Sequence, residues 1–347
     1  MPQLADNTVD LVVTSPPYPM IKMWDSQFSS VNPRIGEAIA DENADQAFNL
    51  MHSYLDSVWR ECLRVLRPGG LACINIADAT RTIRGEFRLF SNHSRVLQAM
   101  DSIGFSTLPD ILWRKPTNSP NKFLGSGMLP TGAYVTYEHE YILIFRKPGI
   151  RRFQQIEQKK LRTRSAFFWE ERNVWFSDLW TNLTGTKQDL PAHTTTRFRS
   201  GAFPFELPFR LIQMYSLIGD TVIDPFLGTG TTSAAALSTG RSSIGIEMDD
   251  SLNQKIRTVL ETAVPLGRKI AQNRLKEHMI FVSEREALGR PCQHHNQTYG
   301  IPVMTRQETD IELIIPSQIT AKDSGPTYVA SHEPIMAEYI ASLLNRI

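Results

Sequence analysis

"TVIDPFLGTGTTSAAALSTGRSSIGIEMDD", residues 221–250, decides how the rest of the chain is read. A short β-branched run over 221–224 enters a tight loop carrying Gly228 and Gly230, and small residues from Thr231 open a helix. A second apolar run over 243–248 follows and carries Glu247 near its end. Strand, loop, helix and strand in this order make one βαβ crossover, which joins parallel strands.

The same rhythm runs outward on both sides. Leu11-Val12-Val13 reads as a buried strand, "LACINI" (71–76), "DILWRKP" (110–116) and "EHEYILIFRKP" (138–148) as further strands, and 311–315 as strand-like. Leu55, Val58, Trp59, Cys62, Leu63 and Leu66 share one helical face, stopped by Arg67-Pro68-Gly69-Gly70. Helices are also expected over 94–104, 206–217 and 251–276. Residues 26–50 read as a long polar loop with a helical turn, and 117–132 as a surface loop. The expectation is an α/β fold on a mainly parallel sheet, interrupted at 149–201 by a basic, then aromatic, then polar insertion.

The totals are permissive. At 347 residues the chain can hold one large α/β domain with an insertion. A net charge of +1 argues neither for nor against a polyanionic partner. Its distribution says more: between Tyr141 and Arg164 stand eight basic residues, among them Arg146, Lys147, Arg151, Arg152, Lys159 and Lys160, against the single acid Glu157. Such a run is commonly a solvated face and equally suits phosphate contacts. Three scattered cysteines form neither a disulfide framework nor a zinc pattern, so no metal site is expected. No basic-then-apolar leader and no membrane-length apolar run are present, so a cytoplasmic location is expected.

The glycine loop has three candidate readings. A phosphate-binding P-loop is excluded, because no Lys-Ser or Lys-Thr follows at the required spacing. A dinucleotide fingerprint is weak, because Ser233 stands where its third glycine belongs. A nucleoside without phosphates, such as S-adenosylmethionine, fits what remains. Gly228 and Gly230 allow close backbone approach, Glu247 can accept from two ribose hydroxyls, Asp224 suits the amino-acid end, and Phe226 can flank it. A purely structural glycine turn is the open alternative.

"TSPPY" (14–18) follows the strand at 11–13. Taken with "FLGTG" (226–230), it resembles the amino-methylating DNA methyltransferases, which pair a D/N/S-P-P-Y/F/W motif with an F-x-G-x-G loop. Here the proline motif comes first, with the irregular basic and aromatic stretch between. That order is similar to the permuted beta group of the family. The resemblance implies a Rossmann-like, circularly permuted methyltransferase fold whose mainly parallel sheet contains an antiparallel strand. It divides the chain into a catalytic half (1–148), a target-recognition insertion (149–201), a cofactor half (202–284) and a C-terminal extension (285–347).

The resemblance also assigns roles. Ser15, Pro16, Pro17 and Tyr18 would hold the target amine of a flipped-out base. Asp224, Phe226, Gly228, Gly230, Thr231, Thr232 and Glu247 would hold S-adenosylmethionine. Phe203, in "AFPFELPFRLI" (202–212), would close over the cofactor. The basic residues named above, with Asn118 and Lys122 in the loop, would contact DNA. A serine at the first motif position tends to accompany cytosine N4 rather than adenine N6 methylation, and a companion restriction endonuclease is an expected partner.

Competing readings are an RNA or protein-glutamine methyltransferase and a DNA-binding module with a vestigial cofactor pocket. Pro291-Cys292-Gln293 resembles the nucleophile segment of cytosine-C5 enzymes, but an exocyclic amine needs no thiolate. His52, His93 and His139 are expected to cap or fill, and Trp24 and Asp25 to lie near the base pocket. Relatives begin with a strand that this chain has no room for before Asp10. Either that strand and its acidic residue are missing from this sequence, or "HMIFV" (278–282) fills the slot as a strand from the far end, and the second is the preferred expectation.

Overall fold

The structure is a computed structural model that describes residues 1–115, 124–183, 203–322 and 327–335. It divides into two compact units. One comprises Met1–Thr8, Thr14–Gly149 and Asp178–Pro204; the other comprises Val9–Val13, Ile150–Ser177 and Phe205–Ile347. Residues 150–177 thus fall in the second unit and 178–183 in the first.

In the second unit, Val9–Thr14, Thr221–Asp224 and Ser242–Gly245 are adjacent parallel strands. Leu11 lies opposite Val222 and Val12 opposite Ile223. Val9–Thr14 is buried along its whole length, as a parallel strand covered on both faces should be. The parallel register makes this strand and Thr221–Asp224 finish at the same edge. The glycine loop continues directly from Thr221–Asp224. The helix Thr231–Leu237 buries Thr232–Ala236, and Ala234 packs with Leu260 and Ala263.

The segment 278–282 corrects an expectation. It lies inside the helix Ala263–Ala287, which buries Leu275, His278, Met279 and Val282. Their spacing of three and four residues is helical, and it outweighs the β-branched, aromatic composition of the five residues alone. This helix packs against Phe168, Tyr299, Ile301, Val303 and Ile311. Arg274 forms a two-pronged pair with Glu171 at 2.5 and 2.8 Å, and His278 Nδ1 meets Glu170 at 2.8 Å. Tyr299, Ile301, Val303 and Ile311 thereby share a core with Phe168. The strand expected at 311–315 runs instead over Ile314–Lys322, in a hairpin with Thr327–Pro334.

In the first unit, Leu66–Ile76, His139–Arg146, Ser106–Arg114 and Leu179–Trp180 are neighbours in that order. His139–Arg146 runs antiparallel to both Leu66–Ile76 and Ser106–Arg114. It is the antiparallel strand expected within an otherwise parallel α/β fold. Pro68-Gly69-Gly70 does not stop before the strand but lies within it, Gly69 taking φ +80° and donating to the Lys147 carbonyl at 3.0 Å.

Residues 26–50 depart further from expectation. They form the helices Asp25–Val31 and Pro33–Ala40 and the start of Ala44–Val65. Asn32 and Asn43 cap the second and third, their side chains accepting from Arg34 N and Gln46 N. Polar caps between short helices imitate a loop in sequence, while the sparse apolar residues Phe28, Ile35 and Ala38 are buried.

Candidate active site

The corner after Val9–Thr14 is held by side chains from three other strands or strand ends of its unit. Ser15 Oγ lies 3.0 Å from the Tyr18 hydroxyl. That hydroxyl donates to Glu140 Oε2 at 2.9 Å. Asn75 Nδ2 donates to the Tyr18 oxygen at 2.8 Å and to Glu140 Oε2 at 2.7 Å, and Lys115 Nζ donates to Glu140 Oε1 at 2.8 Å. Asn75 stands near the end of Leu66–Ile76 and Glu140 near the start of His139–Arg146. Antiparallel pairing brings that end against that start, with Ile76 opposite Tyr141. Burial, and then the Glu140 charge, push the Tyr18 phenol well above its ordinary range, so it stays neutral. Tyr18 as a whole is 7 % exposed.

Asn75, Lys115 and Glu140 were not singled out from the sequence. The available sign was a lone asparagine inside an apolar strand and an acid opening another; buried polar residues of that kind need partners.

A second layer braces the corner from behind. Asn92 Nδ2 donates to the carbonyls of Pro19 and Ala77 at 3.0 and 2.9 Å, and His52 Nε2 meets Asn92 Oδ1 at 3.0 Å. Asp78 accepts from the His93 backbone N–H and meets its Nδ1, and Tyr137 also donates to it at 3.0 Å. His93 stacks on Tyr141 with centroids 4.0 Å apart. Asp25 is held by Arg81 in a two-pronged pair. The histidines at 52 and 93 therefore fill and brace, as expected.

The glycine loop is built from its own backbone and two carboxylates. Gly228 and Gly230 adopt φ +57° and +93°, where a side chain would be strained. Gly228 N donates to Glu247 Oε2 at 2.7 Å, while Met248 N and Asp249 N both donate to Oε1 at 2.9 Å. Oε2 keeps a lone pair for a further donor. Buried Asp224 accepts from Phe226 N at 3.0 Å and from the Thr232 hydroxyl at 2.6 Å. Thr232 is fully buried and orients Asp224; Thr231 and Phe226 are half-buried. Phe203 is buried at 8 % exposure within the other unit. A backbone cradle with open space at Gly228, next to a carboxylate with spare acceptor capacity, fits a nucleoside with ribose hydroxyls.

The basic residues separate into two groups. Lys147 Nζ donates to Asn7 Oδ1 and to the carbonyls of Leu63 and Leu66, all within 2.8 Å. Arg151 bridges Asp220, at 2.5 and 2.8 Å, and Asp10, at 3.1 Å. Both side chains are engaged by the fold. Arg146, Arg152, Lys159 and Lys160 are exposed, the last two on the helix Ile156–Arg164, which buries nothing. Asn118 and Lys122 lie outside the described residues. Of the insertion's aromatics, Phe168, Trp175 and Trp180 are core. Among the described residues no group of three or more His, Cys, Asp or Glu could hold a metal ion, and no helix is long and apolar enough to cross a membrane.

These features coincide with similarity to known proteins. The family described as DNA methylase, of the N6/N4 methyltransferase type, matches residues 9–257. The type II methyltransferase M.MthZI of Methanothermobacter thermautotrophicus is 50% identical over 317 residues, covering 91% of this chain and 88% of that protein. M.MjaI of Methanocaldococcus jannaschii is 50% identical over 280 residues, covering 78% and 89%. Among solved structures, a candidate DNA modification methylase of Thermus thermophilus, complexed with S-adenosyl-L-methionine, aligns with TM-score 0.59. It is 30% identical, over 76% of this chain and 90% of that one.

Proposed function

We propose, from the premise that the chain belongs to the N6/N4 DNA methylase family, that this S-adenosyl-L-methionine-dependent DNA methyltransferase acts on the N4 amine of a flipped-out cytosine. The observation that carries the choice of base is Ser15: a hydroxyl, not a carboxylate or carboxamide, opens the Pro-Pro-Tyr corner. The permuted order, proline motif before glycine loop, belongs to the same reading.

An exocyclic amine conjugated with its ring has a poorly available lone pair. Two acceptors aimed at its hydrogens favour a pyramidal nitrogen and localise that pair where charge will develop. Ser15 Oγ and the Pro16 carbonyl supply them. Two consecutive prolines fix the path of the corner and add no competing N–H. The Tyr18 ring supplies a stacking face, a contact worth roughly 1–3 kcal/mol per base in single-strand binding. Taking the base out of the duplex makes its amine reachable. When bound, S-adenosyl-L-methionine supplies a methyl carbon made electrophilic by its sulfonium. Gly228 and Gly230 let backbone approach that molecule, Glu247 accepts from its ribose and Asp224 faces its amino-acid end. The residues Arg146, Arg152, Lys159 and Lys160 contact phosphates, positioning the duplex without reading it.

The N4 amine lies in the major groove, where proteins read base edges. A methyl group there blocks an endonuclease of the same sequence, so such an enzyme is the proposed companion, in a prokaryotic cytoplasm. The test is to treat DNA with the purified chain and the cofactor, digest it to nucleosides and identify the product by mass spectrometry. N4-methylcytosine is expected. N6-methyladenine alone would reassign the base, and tight DNA binding without any methyl transfer would make the protein a binding module.

A further inference from the structure

We propose that Glu140 is a positioning residue for this reaction: acting through the Tyr18 hydroxyl, it fixes the direction of the Ser15 hydroxyl so that Ser15 turns only lone pairs toward the target amine. The inference rests on Ser15 being the amine acceptor.

The hydrogen bonds around Tyr18 leave one arrangement. Its oxygen has three neighbours, Asn75 Nδ2 at 2.8 Å, Glu140 Oε2 at 2.9 Å and Ser15 Oγ at 3.0 Å. The amide nitrogen of Asn75 can only donate, and a carboxylate can only accept. The single phenolic proton therefore goes to Glu140. Were it turned toward Ser15, a phenol lone pair would face a carboxylate oxygen at hydrogen-bond distance, inside the protein where that repulsion is strongest. With the proton given to Glu140, Ser15 must donate to Tyr18, completing one donor and two acceptors at the phenol. The Ser15 hydrogen then points inward; one of its lone pairs faces the Asn75 amide at 3.5 Å, and the other remains for a substrate N–H.

Without this constraint a serine hydroxyl rotates and can offer its hydrogen instead, which would repel an amine hydrogen and leave the nitrogen unactivated. The direction is set by charge, and the charge is held in place. Lys115 Nζ engages Oε1, while Asn75 spans Oε2 and the phenol. The same logic explains the orientation of Asn75. Turning its amide over would set Oδ1 against the carboxylate, so the structure accepts a buried Oδ1 without a partner instead.

Glu140→Gln separates direction from packing, because glutamine keeps the shape and can either accept from or donate to Tyr18. Tyr18→Phe keeps the stacking ring and removes the relay. Each is compared with wild type, Ser15→Ala and the double variant for kcat, KM for DNA, cofactor affinity by calorimetry and thermal unfolding. The expected result is a kcat lowered roughly tenfold or more in each single variant, with KM and cofactor affinity unchanged. The double variant should be no worse than either single, since both break one path. Wild-type kcat in Glu140→Gln, with Ser15→Ala inactive, overturns the proposal and leaves the amine site standing. Additive losses overturn it too. Full turnover in Ser15→Ala removes the reading of the corner itself. If Glu140→Gln unfolds, Tyr18→Phe alone decides, by kcat against KM.

Discussion

His52 Nε2 lies 3.0 Å from Oδ1 of Asn92, and the Asn92 amide in turn donates to the Pro19 carbonyl just beyond the corner. A fully buried imidazole thus stands two hydrogen bonds behind the Pro19 carbonyl, with its proton on Nε2 because the Asn92 oxygen that it faces can only accept.

This placement gives the fold a pH dependence. Burial, against the Asn92 hydrogen bond and helped by Arg95, pushes His52 down to about 3. Its folded value is below its unfolded one, near 6.5, so the unfolded chain takes up a proton first. The contribution is complete above pH 6.5 and is lost as pH falls toward 3. At pH 5 the loss is about 2 kcal/mol. Urea unfolding at pH 7.5 and 5.0 should show wild type losing that much more than His52→Gln. Equal losses in the two proteins would show that His52 is not buried neutral.

The loop makes a separate prediction about the cofactor. Glu247 accepts from three backbone N–H groups, Gly228 among them. Hydrogen bonds to a charged group contribute roughly 1.5–3 kcal/mol. Glu247→Gln should weaken S-adenosyl-L-methionine binding by about ten- to a hundredfold, read by calorimetry, with DNA affinity retained. Unchanged cofactor affinity would release Glu247 from both the brace and the ribose.

The basic residues should divide by experiment as they do by structure. Replacing Arg152, Lys159 and Lys160 together with Ala should flatten the dependence of DNA affinity on salt, by about 0.9 in log–log slope for each phosphate no longer neutralised, without lowering the unfolding temperature. Arg151→Ala should do the reverse. It leaves Asp10 and Asp220 buried at 4 and 6 % exposure without their cation, which costs about 3–5 kcal/mol. A stable Arg151→Ala protein with a flattened salt dependence would return that residue to the DNA surface.

Much of this protein is written locally. The strand–loop–helix–strand run at 221–250 and the proline corner after Leu11-Val12-Val13 are short patterns whose backbone demands are met by their own residues, and their order in the chain is plain in the sequence. From these alone came the α/β fold and the family. Where local pattern competes with a longer period it misleads: "HMIFV" looks like a strand in isolation and becomes helical only as part of Ala263–Ala287. Asn32 and Asn43 likewise pass for loop residues until the helices they cap exist.

Tertiary structure alone decided the rest. Asn75 and Glu140 meet Tyr18, and Lys115 meets Glu140, because Leu66–Ile76, Ser106–Arg114 and His139–Arg146 pair in one particular register, and a slip of one residue would turn Glu140 to the other face. Lys147 and Arg151 look like any other cations until carbonyls and buried acids from distant segments surround them. Partners so far apart in sequence are chosen by strand pairing and packing of the whole unit, and no short stretch of residues carries that information.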